Sequence, residues 1–181
     1  MNLVPYMRNL HKRDTTFTVT WRLLSVAREG NRLRAVLGSD YGDFPAHNGL
    51  WNMAKRTAFD PLVRMALVPR VLEARGLDVT PGLIKRLRQA GDEKTAAVLE
   101  IILRDEIGHV AIGSHWFQYL CRQRWLDPEQ TFHELVNQYF SGQMCGPFDY
   151  EARQQAGFSL AELKALEQMG IAKTRGGNTA Q

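Results

Sequence analysis

The chain has 181 residues, 44% of them hydrophobic and 23% charged, with a formal net charge of +4. That is enough for one well-buried domain and little more. No apolar run approaches the ~18 residues of a membrane span, and two cysteines, Cys121 and Cys145, make neither a disulfide framework nor a zinc-ligand pattern.

The opening residues lack the apolar core and small-residue cleavage site of a secretory signal. With the low cysteine count, this predicts a reducing, cytoplasmic setting. Charge is uneven along the chain. Residues 1–91 hold 15 Lys+Arg against 7 Asp+Glu, and residues 92–181 hold 8 against 12. The basic residues are scattered, and no nucleic-acid motif accompanies them. A basic face lying near an acidic one explains them better than a polyanion surface does.

Thr15–Trp21 is β-branched and strand-like, but no later segment alternates to pair with it. Residues 22–37 suit a short helix with Leu23, Val26, Ala27 and Leu33 on its apolar side. Tyr41–Gly49 reads as a loop, with His47 near its end. A brief helix is expected over residues 50–59. Asp60-Pro61 then restarts a helix, Asp as N-cap and Pro at the first position. Its apolar face carries Leu62, Met65, Ala66, Pro69, Leu72 and Glu73. Pro69 should kink it, and Gly76 suits its C-terminal stop. Thr80-Pro81 would start another short helix ending near Ala90-Gly91.

Residues 92–123 read as one long helix, on the order of 48 Å at ~1.5 Å per residue. Asp92 could cap it, and Glu100 with Arg104 would form a solvated i,i+4 pair. Asp127-Pro128 opens a helix to about residue 140. Residues 141–150 form a Gly/Pro loop, and Tyr150 to Ala156 add a turn or two of helix. Ser159-Leu160-Ala161-Glu162 is a capping box for a last helix to about Met169. Residues 171–181 are polar and Gly-rich, as in a disordered tail. The fold class is all-α.

The chemistry concentrates in the long helix. Glu106 and His109 form a Glu-x-x-His pair on one face. They lie within an apolar stripe running through Leu99, Ile102, Leu103, Val110, Gly113, Phe117 and Leu120. A carboxylate and an imidazole in such a seam must be paired, neutralised or bound to a metal. Antiparallel packing would bring Glu73 towards them. A Glu facing a Glu-x-x-His is half of the ligand set used by four-helix di-metal carboxylate proteins, and these donors suit iron or manganese. Asp105 could orient His109 from behind. The alternatives are a simple Glu106–His109 hydrogen bond, or a pairing of either residue with a buried Arg70. His115 and the His133/Glu129 pair suit solvated positions. Trp51, Trp116 and Trp125 suit core or edge aromatics.

Four stretches carry a resemblance: Tyr41–His47 (YGDFPAH), Met65–Asp78 (MALVPRVLEARGLD), Asp105–His109 (DEIGH) and Pro147–Phe158 (PFDYEARQQAGF). Together they resemble the bacterial ferritin-like family known as domain of unknown function family 455, over about residues 26 to 168. The resemblance implies a ferritin-like helical bundle with a di-iron or di-manganese centre, and distant relatives include oxygenases acting on modified tRNA. It also implies that Glu73 is the third-helix ligand, and that Glu106 and His109 are the fourth-helix ligands. The first family helix has no counterpart here. In the second, Glu29 aligns with a Glu, but Gly30 and Leu33 stand where a ligand Glu and His belong. The expectation is a truncated or rearranged, incomplete bundle. Residues 1–25 would be a non-family arm, residues 26–170 a partial ferritin-like domain, and residues 171–181 a tail.

Three functions follow. The first is a metal protein, an oxidoreductase if a two-fold homodimer completes the site. The second is a non-catalytic helical interaction module without metal, whose uncovered apolar faces would seek a partner. The third is RNA contact through the basic half. Neither DNA nor a membrane is expected as a partner.

Overall fold

A computed structural model describes residues 48–140 and 146–176, and all of their regular structure is helical. The expected strand Thr15–Trp21 and the helix over residues 22–37 lie outside these residues. So do Glu29, Gly30, Leu33, His47 and Cys145. No described helix is long and apolar enough to cross a membrane.

Helix α1 spans Gly49–Arg56 and α2 spans Pro61–Leu67. Asp60 caps α2, its carboxylate accepting the Leu62 N–H at 2.8 Å. The chain then widens into π-helical turns over Val68–Glu73. Pro69 has no N–H to give to the ladder, and the backbone answers with wider turns in place of a simple kink.

The chain continues directly into α3, Ala74–Gln89. This corrects the sequence reading. Gly76 does not end a helix, and Pro81 lies inside one. The burial of Ala74, Leu77 and Ile84 holds the segment helical through both residues. The stop is Gly91, left-handed at φ +81°. There Asp92 N–H donates to Leu87 O at 2.9 Å and Gly91 N–H to Arg88 O at 3.0 Å, the paired bonds of a Schellman ending. The link from α3 to the next helix is therefore three residues, far shorter than the stretch 77–92 expected from the sequence.

Helix α4, Glu93–Gln123, is the long helix, and Asp92 caps it by accepting the Thr95 N–H at 3.0 Å. Glu100 pairs with Arg88 of α3 at 2.8 Å rather than with Arg104. The turn Ala90–Asp92 folds α4 back against α3 and the π-helical segment. Helix α5 spans Pro128–Phe140, α6 spans Tyr150–Gln155 and α7 spans Leu160–Gly176. The last helix runs beyond its expected end at Met169, to Gly176. Its capping box forms in both directions: Glu162 N–H donates to Ser159 Oγ at 3.0 Å, and Ser159 N–H donates to Glu162 at 2.8 Å.

The core lies where α2, the π-helical segment and α4 meet α5, α6 and α7, around Leu67, Phe117, Phe132 and Leu163. Two arginines are inside it, each with no solvent exposure. Arg70 ion-pairs with Glu162 at 2.6 Å and lies within 4.2–4.7 Å of the ring centres of Phe117, Phe132 and Phe158. Arg153 makes two 2.8 Å bonds to Asp78. Arg70 therefore does not serve as the partner of Glu106 or His109.

Trp116 is buried, as expected of a core aromatic, but Trp125 is 95% exposed. His115 is exposed as predicted. Glu129 accepts the Ser159 hydroxyl at 2.6 Å, and so belongs to the α5–α7 contact rather than to a solvated pair with His133.

Candidate metal centre

Glu73 is the last residue of the π-helical segment, while Glu106 and His109 sit near the middle of α4. The α3–α4 turn makes these elements neighbours. Gly76, one turn beyond Glu73, comes up against α4 so closely that a Cβ there would stand 4.0 Å from Glu106 Cγ. The three residues predicted from the sequence therefore share one interhelical seam.

Within the seam, His109 Nδ1 lies 3.0 Å from Glu106 Oε2. Their side chains are 12% and 20% exposed. The geometry fits an Nδ1–H donating to the carboxylate, which is one of the pairings open at the sequence level. Glu73 is pushed from 4.5 up to about 7, by burial first and by the Glu106 carboxylate second, with His109 pulling it back down. The electrostatics agree with the geometry. Glu73 feels both members of the pair, and two carboxylates so placed cannot both ionise freely without a cation. Asp105, one residue before Glu106, pairs with Arg104 at 3.6 Å.

Among the described residues, no group of three His, Cys, Asp or Glu side chains is spaced to hold a metal ion. The seam thus supplies suitable donor types and a charge imbalance, but not a closed cage. Cys121 is no substitute. It is buried, and burial pushes its thiol up, which leaves it unreactive.

Sequence reasoning placed Pro69 and Gly113 on apolar stripes but gave no signal that they meet. They do: a Cβ on Gly113 would overlap the Pro69 ring. Gly113 is four residues beyond His109, and Pro69 four residues before Glu73, so this contact lies one turn from the candidate ligands on both helices.

The family described as "Protein of unknown function (DUF455)" matches residues 29–164. The chain belongs to the DUF455 family. One relative, an "Uncharacterized protein" of Haemophilus influenzae (strain ATCC 51907 / DSM 11121 / KW20 / Rd), is 49% identical over 154 residues, or 81% of this chain and 53% of the relative. The chain thus spans about half the length of that relative. A "Probable N-methylproline demethylase" of Rhizobium meliloti (strain 1021) is 51% identical over 63 residues, or 35% of this chain and 8% of that protein. No solved structure matches this DUF455 chain significantly.

Proposed function

We propose that this chain is a ferritin-like carboxylate–histidine metal protein. Glu73, Glu106 and His109 supply half of a ligand set for iron or manganese, and a second copy of the chain supplies the other half. The observation that carries the reading is the placement of Glu73 against the Glu106–His109 pair, with its proton held up to about 7. A divalent cation would replace that proton and relieve the repulsion between the carboxylates. Carboxylate oxygens and an imidazole nitrogen suit iron and manganese.

Two copies related by a two-fold axis would offer four carboxylates and two imidazoles, the set that ferritin-like bundles use. Among the described residues of one chain no three donors enclose a metal, and a second copy is the proposed source of the remainder. Asp105 lies one turn before His109, and its proposed role is to orient that ring. Bound iron or manganese would supply one-electron redox chemistry, and on this reading the protein is an oxidoreductase. The 63-residue match covers too little of the demethylase to lend its reaction to this chain.

Metal analysis of the purified protein, combined with its mass in solution, tests the proposal. A dimer carrying iron or manganese, with metal lost in Glu106→Ala, supports it. A metal-free chain that takes up neither ion on titration rejects it.

One observation favours a second reading, a non-catalytic interaction module. From Ala97 to His109, α4 has no fully buried residue, although Leu99, Ile101, Ile102, Leu103 and Ile107 lie there. A helix apolar on so many sides is usually covered. Association without metal would select this reading over the first.

A further inference from the structure

We infer that the Pro69–Gly113 contact, together with the π-helical turn around it, is the device that positions Glu73 opposite Glu106 and His109. In a regular α-helix, residues three apart lie on one face. Arg70 and Glu73 are three apart, yet they serve different surroundings. Arg70 enters the Phe117–Phe132–Phe158 core and pairs with Glu162, whereas Glu73 lies one turn before Gly76, where a Cβ would stand 4.0 Å from Glu106 Cγ on α4. The wide turns over Val68–Glu73 let the two diverge.

What holds that wide turn against α4 is a notch. Gly113 is buried and has no side chain, and the Pro69 ring occupies the space its Cβ would need. The obstructing atoms are Cβ and Cγ of a ring, which cannot swing aside as a flexible side chain could. Any side chain at Gly113 must therefore push the π-helical segment away from α4, and Glu73, one turn on, moves with it. Arg70 anchors the other side of the same segment, so the displacement cannot be absorbed by rotation into the core. Pro69 and Gly113 are positioning residues, acting on the seam through the backbone.

As a statement about metal affinity, this rests on the function proposed above. As a statement about geometry, it does not. The test uses the full chain as wild type, Gly113→Ala, and Pro69→Gly/Gly113→Ala. In the double variant the bulk is transferred from one helix to the other, and the nearest remaining Pro69-site atom would be its Cα, at an ordinary 3.8 Å.

Two properties are read in each protein: nuclear Overhauser contacts between residue 73 and residues 106 and 109 without metal, and cobalt(II) affinity. The contacts should be present in wild type, lost in Gly113→Ala, and recovered in the double variant. Cobalt affinity should fall at least about tenfold and recover in parallel, a difference of about 1.4 kcal/mol.

Retention of the contacts in Gly113→Ala overturns the inference. So does a double variant that folds but does not recover them. Should Gly113→Ala fail to fold, recovery of fold and contacts together in the double variant still supports it, and absence of recovery overturns it. If the contacts behave as stated while wild type binds no cobalt, the positioning role stands and the metal reading falls.

Discussion

Arg70 and Glu162 are 92 residues apart in sequence and meet at 2.6 Å in a site closed to solvent. Three phenylalanine rings surround the guanidinium, and its Nε and Nη1 have no hydrogen-bond partner among the described residues. Burial drives the Arg70 pKa down, and Glu162 is the main influence restoring it. The pair ties the π-helical segment to the start of α7. Removing one member of such a pair is far worse than never having built it. Glu162→Gln keeps the capping box, since glutamine serves there equally well, but leaves Arg70 without its counter-charge. It should destabilise the chain by about 3–5 kcal/mol in urea unfolding.

Asp78 and Arg153 form the second buried pair, and Asp78 also accepts the Asp149 N–H at 3.0 Å. Asp78→Ala strands both donors, and a loss of at least about 3 kcal/mol is expected. Phe158 lies 4.5 Å from the Arg70 guanidinium and 5.1 Å from that of Arg153. The two sites therefore share a wall. The double variant Glu162→Gln/Asp78→Ala should depart measurably from the sum of the single changes.

Glu73 gives the metal-free chain a distinctive pH dependence. Its carboxyl titrates near 7 when folded, against an ordinary value of 4.5. Between those values the folded chain holds a proton that the unfolded chain has released. Stability attributable to Glu73 is therefore full below 4.5 and lost as pH rises towards 7. The loss above 7 is on the order of 1–3 kcal/mol once partial exposure is allowed for. Glu73→Gln should abolish that slope and leave the chain more stable than wild type at pH 8, but not at pH 4. Denaturant midpoints at the two pH values would measure it.

Trp125 has the left-handed conformation at φ 57°, directly after α4. Leu126 N–H donates to Cys121 O at 3.0 Å and Trp125 N–H to Arg122 O at 3.3 Å. This is the ending that normally takes glycine. The tryptophan carries the strain of that conformation and leaves its ring in water. Trp125→Gly should raise stability by about 1 kcal/mol, read as a higher thermal midpoint.

Local chemistry made several features legible. Asp60, Asp92, Asp127 and Ser159 cap the helices predicted for them, because a cap depends on residues two or three positions away. The face shared by Glu106 and His109 follows from the helical repeat alone. The sequence pattern also placed Glu73 on an inward face, but not at a distance. Prolines and glycines misled wherever packing mattered more than propensity. Gly76 and Pro81 lie inside α3 because burial against α4 outweighs their local cost, and α7 continues past its expected end.

The all-helical class, most helix starts and the donor types of the candidate centre could be read from the residue order, since each depends on neighbours along one helix. Which side chains meet across helices could not. Packing paired Arg70 with Glu162 and Arg153 with Asp78, set Pro69 in the gap at Gly113, and brought Glu73 into the field of Glu106. Those encounters join residues far apart in the chain. The approach of Glu73 to Glu106 depends on one three-residue turn and one π-helical widening, and neither leaves a periodic signal in the sequence.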